Sequence, residues 1–106
     1  MNKTSVPFKK RMENGESLYG IFCSIASPIH VEQLGLAGYD FIIIDLEHTL
    51  FSTSQVESMI LAARAMQLDV LVRVPLTANH LILPLLDAGV TGIVLPRIEN
   101  RSEERR

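Results

Sequence analysis

Four polar residues stand where chemistry could be done. Asp45, Glu47 and His48 close the apolar run Phe41-Ile42-Ile43-Ile44, and Arg73 sits inside Val70-Leu71-Val72-Arg73-Val74. A carboxylate beside an imidazole orients the ring and raises its basicity, which is how a histidine becomes a general base. The same Asp-x-Glu-His cluster also suits a solvated loop in which the carboxylates cap the following helix. An arginine among valines and leucines is costly to bury unless it is paired. Arg73 therefore reads as a fork for a substrate carboxylate or phosphate, or as the partner of Asp45 or Glu47 on a neighbouring strand. One arrangement can satisfy both readings.

The remaining candidates are weaker. Arg97 and Glu99 follow Pro96 and fit either the same face or an ordinary charged surface. His30 and His80 fall in helical stretches and read as surface or capping residues. Cys23 lies within a β-rich run and reads as a small core residue. No sequence partner supports it as a nucleophile. The turn after the first β-rich run is Ala26-Ser27-Pro28, not a glycine fingerprint for a dinucleotide. There is no P-loop and no zinc spacing.

The elements that must position these residues follow from local pattern. Leu18 to Ile25 reads as a first strand. Ser27-Pro28 is a cap followed by proline in the first turn of a helix, which continues through Leu34 to Ala37 and stops at Gly38. Phe41 to Leu46 is a second strand, apolar enough to be covered on both faces. Ser54-Gln55-Val56-Glu57 has the pattern of a capping box, and Val56, Met59, Ile60, Ala63 and Met66 follow at helical spacing. Val70 to Val74 is a third strand, ended by Pro75. Thr77 or Asn79 starts a third helix through Leu81, Leu85 and Leu86, which Pro84 should shorten or kink before Gly89. Gly92 to Leu95 is a fourth strand, ended by Pro96. Ser102 with Glu103 and Glu104 looks like the start of one more helix.

The order β-α-β-α-β-α-β with short connections requires a parallel sheet with helical crossovers. Two architectures fit: a doubly wound open sheet or part of a β/α barrel. In both, ligands bind at the carboxyl ends of the strands, where Asp45, His48 and Arg73 lie. The chain has 106 residues, 47% of them hydrophobic, so a single domain with a real core is expected. Residues 1–17 read as a lead-in and residues 18–106 as the β/α repeats. A formal net charge of -2 gives no reason to expect nucleic acid or an anionic membrane as a partner. The single cysteine cannot form an internal disulfide, and no apolar run approaches membrane-spanning length. A cytoplasmic protein is expected.

At this point a family resemblance enters. Gly38-Tyr39-Asp40-Phe41-Ile42-Ile43-Ile44-Asp45-Leu46-Glu47-His48 resembles the signature of the HpcH/HpaI aldolases, metal-dependent pyruvate aldolases acting on 2-keto-3-deoxy sugar acids and 4-hydroxy-2-oxo acids. Leu71 to Pro75, Leu85 to Ile93 and Val94 to Glu99 agree in order and spacing. Gly20-Ile21-Phe22 and Ser27-Pro28 also fit, so the resemblance runs from about Leu18 onward.

The resemblance implies an α/β fold, a (β/α)8 barrel of which this chain supplies about β1 to β4 with their helices. It implies reversible cleavage of a keto acid to pyruvate and an aldehyde. A divalent metal (magnesium, manganese or cobalt) stabilises the enolate as a Lewis acid in that chemistry. His48 matches the histidine of the catalytic base system, Asp45 the aspartate that supports it, and Arg73 the arginine that contacts the substrate. Glu47 belongs to the motif without being a metal ligand. The family's metal ligands lie on later strands, beyond Arg106, so no metal is expected on this chain alone. Pro84 departs from the family pattern, which continues a helix there. The expectation is a truncated aldolase chain, inactive by itself, with a small keto acid as substrate and a tendency to form homo-oligomers. Two alternatives stay open: a non-catalytic half barrel that assembles with another chain, and a small doubly wound module that binds an anion through Arg73.

Overall fold

The computed structural model describes residues 7–96. Nine elements follow one another: α1 (Phe8–Glu13), β1 (Gly20–Cys23), α2 (Pro28–Leu36), β2 (Phe41–Asp45), α3 (Thr53–Ala65), β3 (Asp69–Arg73), a 3₁₀ segment (Leu76–Leu81), α4 (Ile82–Ala88) and β4 (Gly92–Val94). Arg97, Glu99 and the helix start expected at Ser102 lie outside the described residues.

The sheet is parallel throughout, and its spatial order β1-β2-β3-β4 is the sequence order. Strand side chains alternate between faces. On one face Cys23, Ile42, Ile44, Val70, Val72 and Val74 merge into a single core with Val31 and Leu34 of α2, Val56, Met59, Ile60 and Ala63 of α3, and Leu85 of α4. The other face carries Phe22, Phe41, Ile43 and Leu71, none of them buried. A doubly wound sheet needs a reversal of strand order and helices on both faces. Here the strand order runs without reversal and the crossover helices α2, α3 and α4 all lie on one face, so the doubly wound alternative is overturned. A singly wound parallel arc with its helices outside is one half of a β/α barrel.

The same alternation corrects the expectation for the second strand. Ile42 and Ile44 are wholly buried under α2 and α3, while Phe41 and Ile43 on the opposite face stay half-buried. Burying a side chain of that size contributes about 1.5–3 kcal/mol, so the helix-covered face anchors the strand.

Helix α2 begins as its sequence requires. The Ser27 hydroxyl accepts from the His30 amide, Pro28 occupies the first turn, and Gly38 takes the left-handed backbone just beyond the C-cap. Helix α3 is capped two residues earlier than expected. Ser52, not Ser54, is the N-cap, and Gln55 completes the capping box by accepting from the Ser52 amide. The third helix also differs. Neither Thr77 nor Asn79 caps it; a 3₁₀ segment runs from Leu76 and hands over to α4 at Ile82. Pro84 falls in the first turn of α4, where the backbone amide has no intrahelical partner to lose, so it does not kink the helix. Gly89 closes α4 in the left-handed region at φ +101.

The lead-in holds a helix that its sequence did not announce. Phe8 of α1 packs edge-on against Phe41, with ring centroids 5.3 Å apart. Arg11 ties the helix down, donating to Asp40 at 3.0 Å and Glu16 at 3.1 Å, while Asp40 also accepts from the Tyr19 amide. α1 thereby covers the amino end of the open sheet face. Gly20 makes this possible: a Cβ there would run into the Phe41 ring. Gly20→Ala is expected to destabilise the fold by about 1–3 kcal/mol through overpacking. A urea unfolding midpoint equal to that of the unsubstituted chain would refute this account of Gly20.

Candidate active site

β2 and β3 pair in register, with Asp45 opposite Arg73 as the last couple of the ladder. Both strands present these residues at their carboxyl ends, and the Leu46 amide bonds the Arg73 carbonyl to lock the register. The Arg73 fork then closes on the carboxylate. Nε donates to Asp45 Oδ1 at 3.1 Å and Nη2 to Asp45 Oδ2 at 2.7 Å. Such a bidentate pair has more directional strength than a single charged contact.

Asp45 also organises the loop that follows. Its Oδ1 accepts from the Glu47 amide at 2.9 Å and the His48 amide at 3.2 Å, a local turn that a short side chain with an acceptor oxygen makes. The turn brings His48 Nδ1 to 3.1 Å from Asp45 Oδ2 and 3.1 Å from Arg73 Nη2. The imidazole Nδ1 can donate to the carboxylate or accept from the guanidinium, but not both at once. In the first tautomer Nε2 is left with a free lone pair; in the second it carries the proton. The His48 side chain is 65% exposed, against 11% for Asp45 and 27% for Arg73. The charged pair is thus inside, and the ring that could exchange a proton faces solvent.

The electrostatics follow from that geometry. The Arg73 guanidinium holds the Asp45 carboxyl well below the usual carboxylate range. Burial works against this shift, while the Glu47 amide and the His48 ring and amide add to it. Glu47 stands 3.6 Å from Arg73 Nε and 3.9 Å from His48 Nδ1, close enough to bias both without a short bond.

Asp45, Glu47 and His48 each offer one ligand atom within 4.8 Å of the others. The chemistry of this donor set does not fit a divalent cation. Both Asp45 oxygens are taken by a permanently protonated guanidinium at bonding distance. A cation at Asp45 would have to displace Arg73 or sit against its charge, which leaves only Glu47 and His48 to hold it.

Phe22 is a site neighbour that residue types alone did not flag. It reaches the cluster from β1, with its ring centroid 4.8 Å from Arg73 Cζ. Its place in β1, paired with Ile43, puts it on the same face as Asp45 and Arg73, and that alternation was the available signal. The other sequence candidates stay apart. Cys23 is buried on the helix-covered face, and burial pushes its thiol up, as suits an inert core residue. His30 lies in α2 and His80 in the 3₁₀ segment, neither of them in the cluster. A groove of about 470 Å³ opens between α3 and α4, but its walls, Leu46, Phe51, Ile60, Leu81 and Leu85 among them, are mainly apolar and contain none of the four candidate residues.

Because the folded Asp45 carboxyl titrates below its unfolded value, its contribution to stability is complete above about pH 4 and is lost as the pH falls toward the folded value. Stability should therefore drop as pH is lowered below about 4, and Asp45→Asn should flatten that drop while lowering stability at neutral pH. Urea midpoints across the acid range are the measurement. A parallel acid slope in both proteins would remove Asp45 as its source.

Comparison with known proteins places this geometry. The family model for HpcH/HpaI aldolase/citrate lyase matches residues 18–106. A hydroxypyruvate/pyruvate aldolase of Paraburkholderia phytofirmans is 34% identical, with 100% of this chain and 42% of that protein aligned. A 5-keto-4-deoxy-D-glucarate aldolase of Salmonella paratyphi A is 32% identical over the same shares. Among solved structures, the citrate synthase SbnG superposes with a TM-score of 0.83 at 37% identity, covering 92% of this chain and 40% of that one. An HpcH/HpaI aldolase from Desulfitobacterium hafniense superposes with a TM-score of 0.82 at 26% identity, covering 95% and 39%. The chain thus spans about two fifths of the length of these relatives. With a family model covering nearly all of it and a half-barrel arc that matches, the chain belongs to the HpcH/HpaI aldolase/citrate lyase family.

Proposed function

We propose that this chain supplies the base-and-arginine half of a keto-acid aldolase site, cleaving a 2-keto-3-deoxy or 4-hydroxy-2-oxo acid to pyruvate and an aldehyde within a complete barrel. The single observation that carries this reading is the closed Asp45–Arg73–His48 cluster at the carboxyl ends of adjacent parallel strands. Relatives named as aldolases support the reaction class.

The roles follow from the atoms. With its Nδ1 proton donated to Asp45, His48 keeps a free lone pair on Nε2, which makes no hydrogen bond among the described residues. That nitrogen takes the proton of the substrate's 4-hydroxyl. The C3–C4 bond breaks, the aldehyde leaves, and the electron pair passes into the keto group to form the enolate of pyruvate. A proton returned to C3 completes pyruvate. Asp45 fixes the tautomer and offsets the imidazolium charge. Arg73 spends Nε and Nη2 on Asp45, leaving Nη1 to donate to the keto-acid oxygen. None of these residues is assigned to a metal. The divalent cation that the resemblance implies would draw its ligands from later strands.

The test is a chimera that joins this chain to the remaining strands of the Paraburkholderia relative, assayed for pyruvate release with added manganese. The 106-residue chain alone should be inactive and the chimera active. His48→Ala should lower kcat by about 10²–10⁴-fold. Arg73→Lys, which cannot make the bidentate contact, should lose about 10²–10³-fold. A chimera that folds but cleaves equally well without the His48 ring would end this assignment.

A second reading is favoured by one observation, the open face of the arc. Phe22 is 52% exposed and the β1 and β4 edges are unpaired among the described residues. Exposed strand edges and an apolar face invite assembly with another copy or a separate second half. Light scattering on the 106-residue chain should then show dimers or larger species. A soluble, cooperatively folded monomer counts against it.

A further inference from the structure

Of the aromatic rings on the open face of the sheet, Phe22 stands against the Arg73 guanidinium, and the proposed chemistry has not used it. Phe22 stands on β1, two strands away from Arg73, in register with Ile43 and therefore one alternation below Asp45. The Arg73 side chain has to cross β2 to reach it. Its guanidinium carbon ends 4.8 Å from the centre of the Phe22 ring while its edge is held by Asp45. Three strands therefore converge on one guanidinium: β1 gives a face, β2 an edge, β3 the side chain itself.

These contacts restrain different motions. The bidentate pair with Asp45 fixes the guanidinium edge in distance and direction. It leaves a hinge, because the fork can tilt about the line joining the two planar groups. A ring beneath the guanidinium removes that tilt, attracts the cation through its π-face and keeps water from one side of the charge. The remaining edge, Nη1, is then presented in one direction only.

We propose that Phe22 is a positioning residue: it sets the tilt of Arg73 so that Nη1 meets the carboxylate or keto oxygen of the acid substrate. This rests on the keto-acid reading above where it names the substrate class. The claim about Arg73 itself stands on geometry alone.

The experiment uses the 106-residue chain with Phe22→Leu and Phe22→Tyr. Leucine keeps an apolar group and loses the π-face; tyrosine keeps the face. The first readout is the hydrogen-exchange rate of the Arg73 Nε proton by NMR, with the backbone amides of Ile43 and Arg73 as internal controls. Phe22→Leu should speed exchange at Nε by about two- to fivefold with the backbone amides unchanged, and Phe22→Tyr should restore the original rate. The second readout is pyruvate, titrated as the probe into the chimera described above, loaded with magnesium, and followed by calorimetry. Phe22→Leu should weaken its binding by a similar factor. Unchanged Nε exchange in Phe22→Leu, or a loss that tyrosine does not restore, overturns the proposal. So does equal acceleration at the backbone amides, which marks loss of packing rather than of position. If pyruvate fails to bind the folded, unsubstituted chimera, the keto-acid reading fails, and the exchange arm on the 106-residue chain still decides the role of Phe22.

Discussion

The Asp45 carboxylate is shared by everything that gives this site its form. It takes both nitrogens of the Arg73 fork, two consecutive amides of its own loop and one edge of the His48 ring. Remove its charge and three separate things fail together. A half-buried guanidinium loses its counter-ion, the loop loses the turn that lifts His48 into place, and the ring loses the partner that selects its tautomer. Leaving one member of such a pair unmatched costs far more than the pair itself is worth. The rest of the molecule can be understood as what is required to bring Asp45 and Arg73 to adjacent positions.

That requirement is met by the parallel register. β2 and β3 must end level, and they do so because helices α2, α3 and α4 cover the same face of both. The fully buried Ile42, Ile44, Val70 and Val72 key each strand against those helices. A slip of one residue would exchange the buried and open faces and carry Arg73 away from Asp45. Packing on one side of the sheet thus fixes the chemistry on the other. Within the cluster, Arg73 has already claimed the Asp45 carboxylate that a cation would need. In the proposed reading the cluster serves as a base and an anion fork, with Arg73 Nη1 turned to a keto acid.

Parts of this were legible without coordinates because they depend on near neighbours in the chain. The Ser27-Pro28 helix start, the glycine stops at Gly38 and Gly89, the four short apolar strands and the pairing of Arg73 with a carboxylate on the next strand all follow from local propensity or from the cost of burying a charge. The errors are local too, and each has a competing cause. Ser52 displaced Ser54 as cap because the chain turns into α3 two residues sooner, and Pro84 proved harmless because a 3₁₀ segment delays the start of α4 until proline falls in its first turn. Helix α1 escaped notice because Phe8 is the only buried residue it contributes, which leaves no periodicity to read.

By itself the sequence determined the parallel α/β order, the residues able to do chemistry and the strand ends that carry them. These depend on residue type and on spacing within one element. Tertiary structure alone decided that the sheet winds singly, that Asp45 and not Glu47 receives the Arg73 fork, that His48 stands within reach of both, and that Phe22 lies beneath the guanidinium. Each of those is a relation between strands, set by register and by which face the helices cover, and no spacing along the chain encodes it.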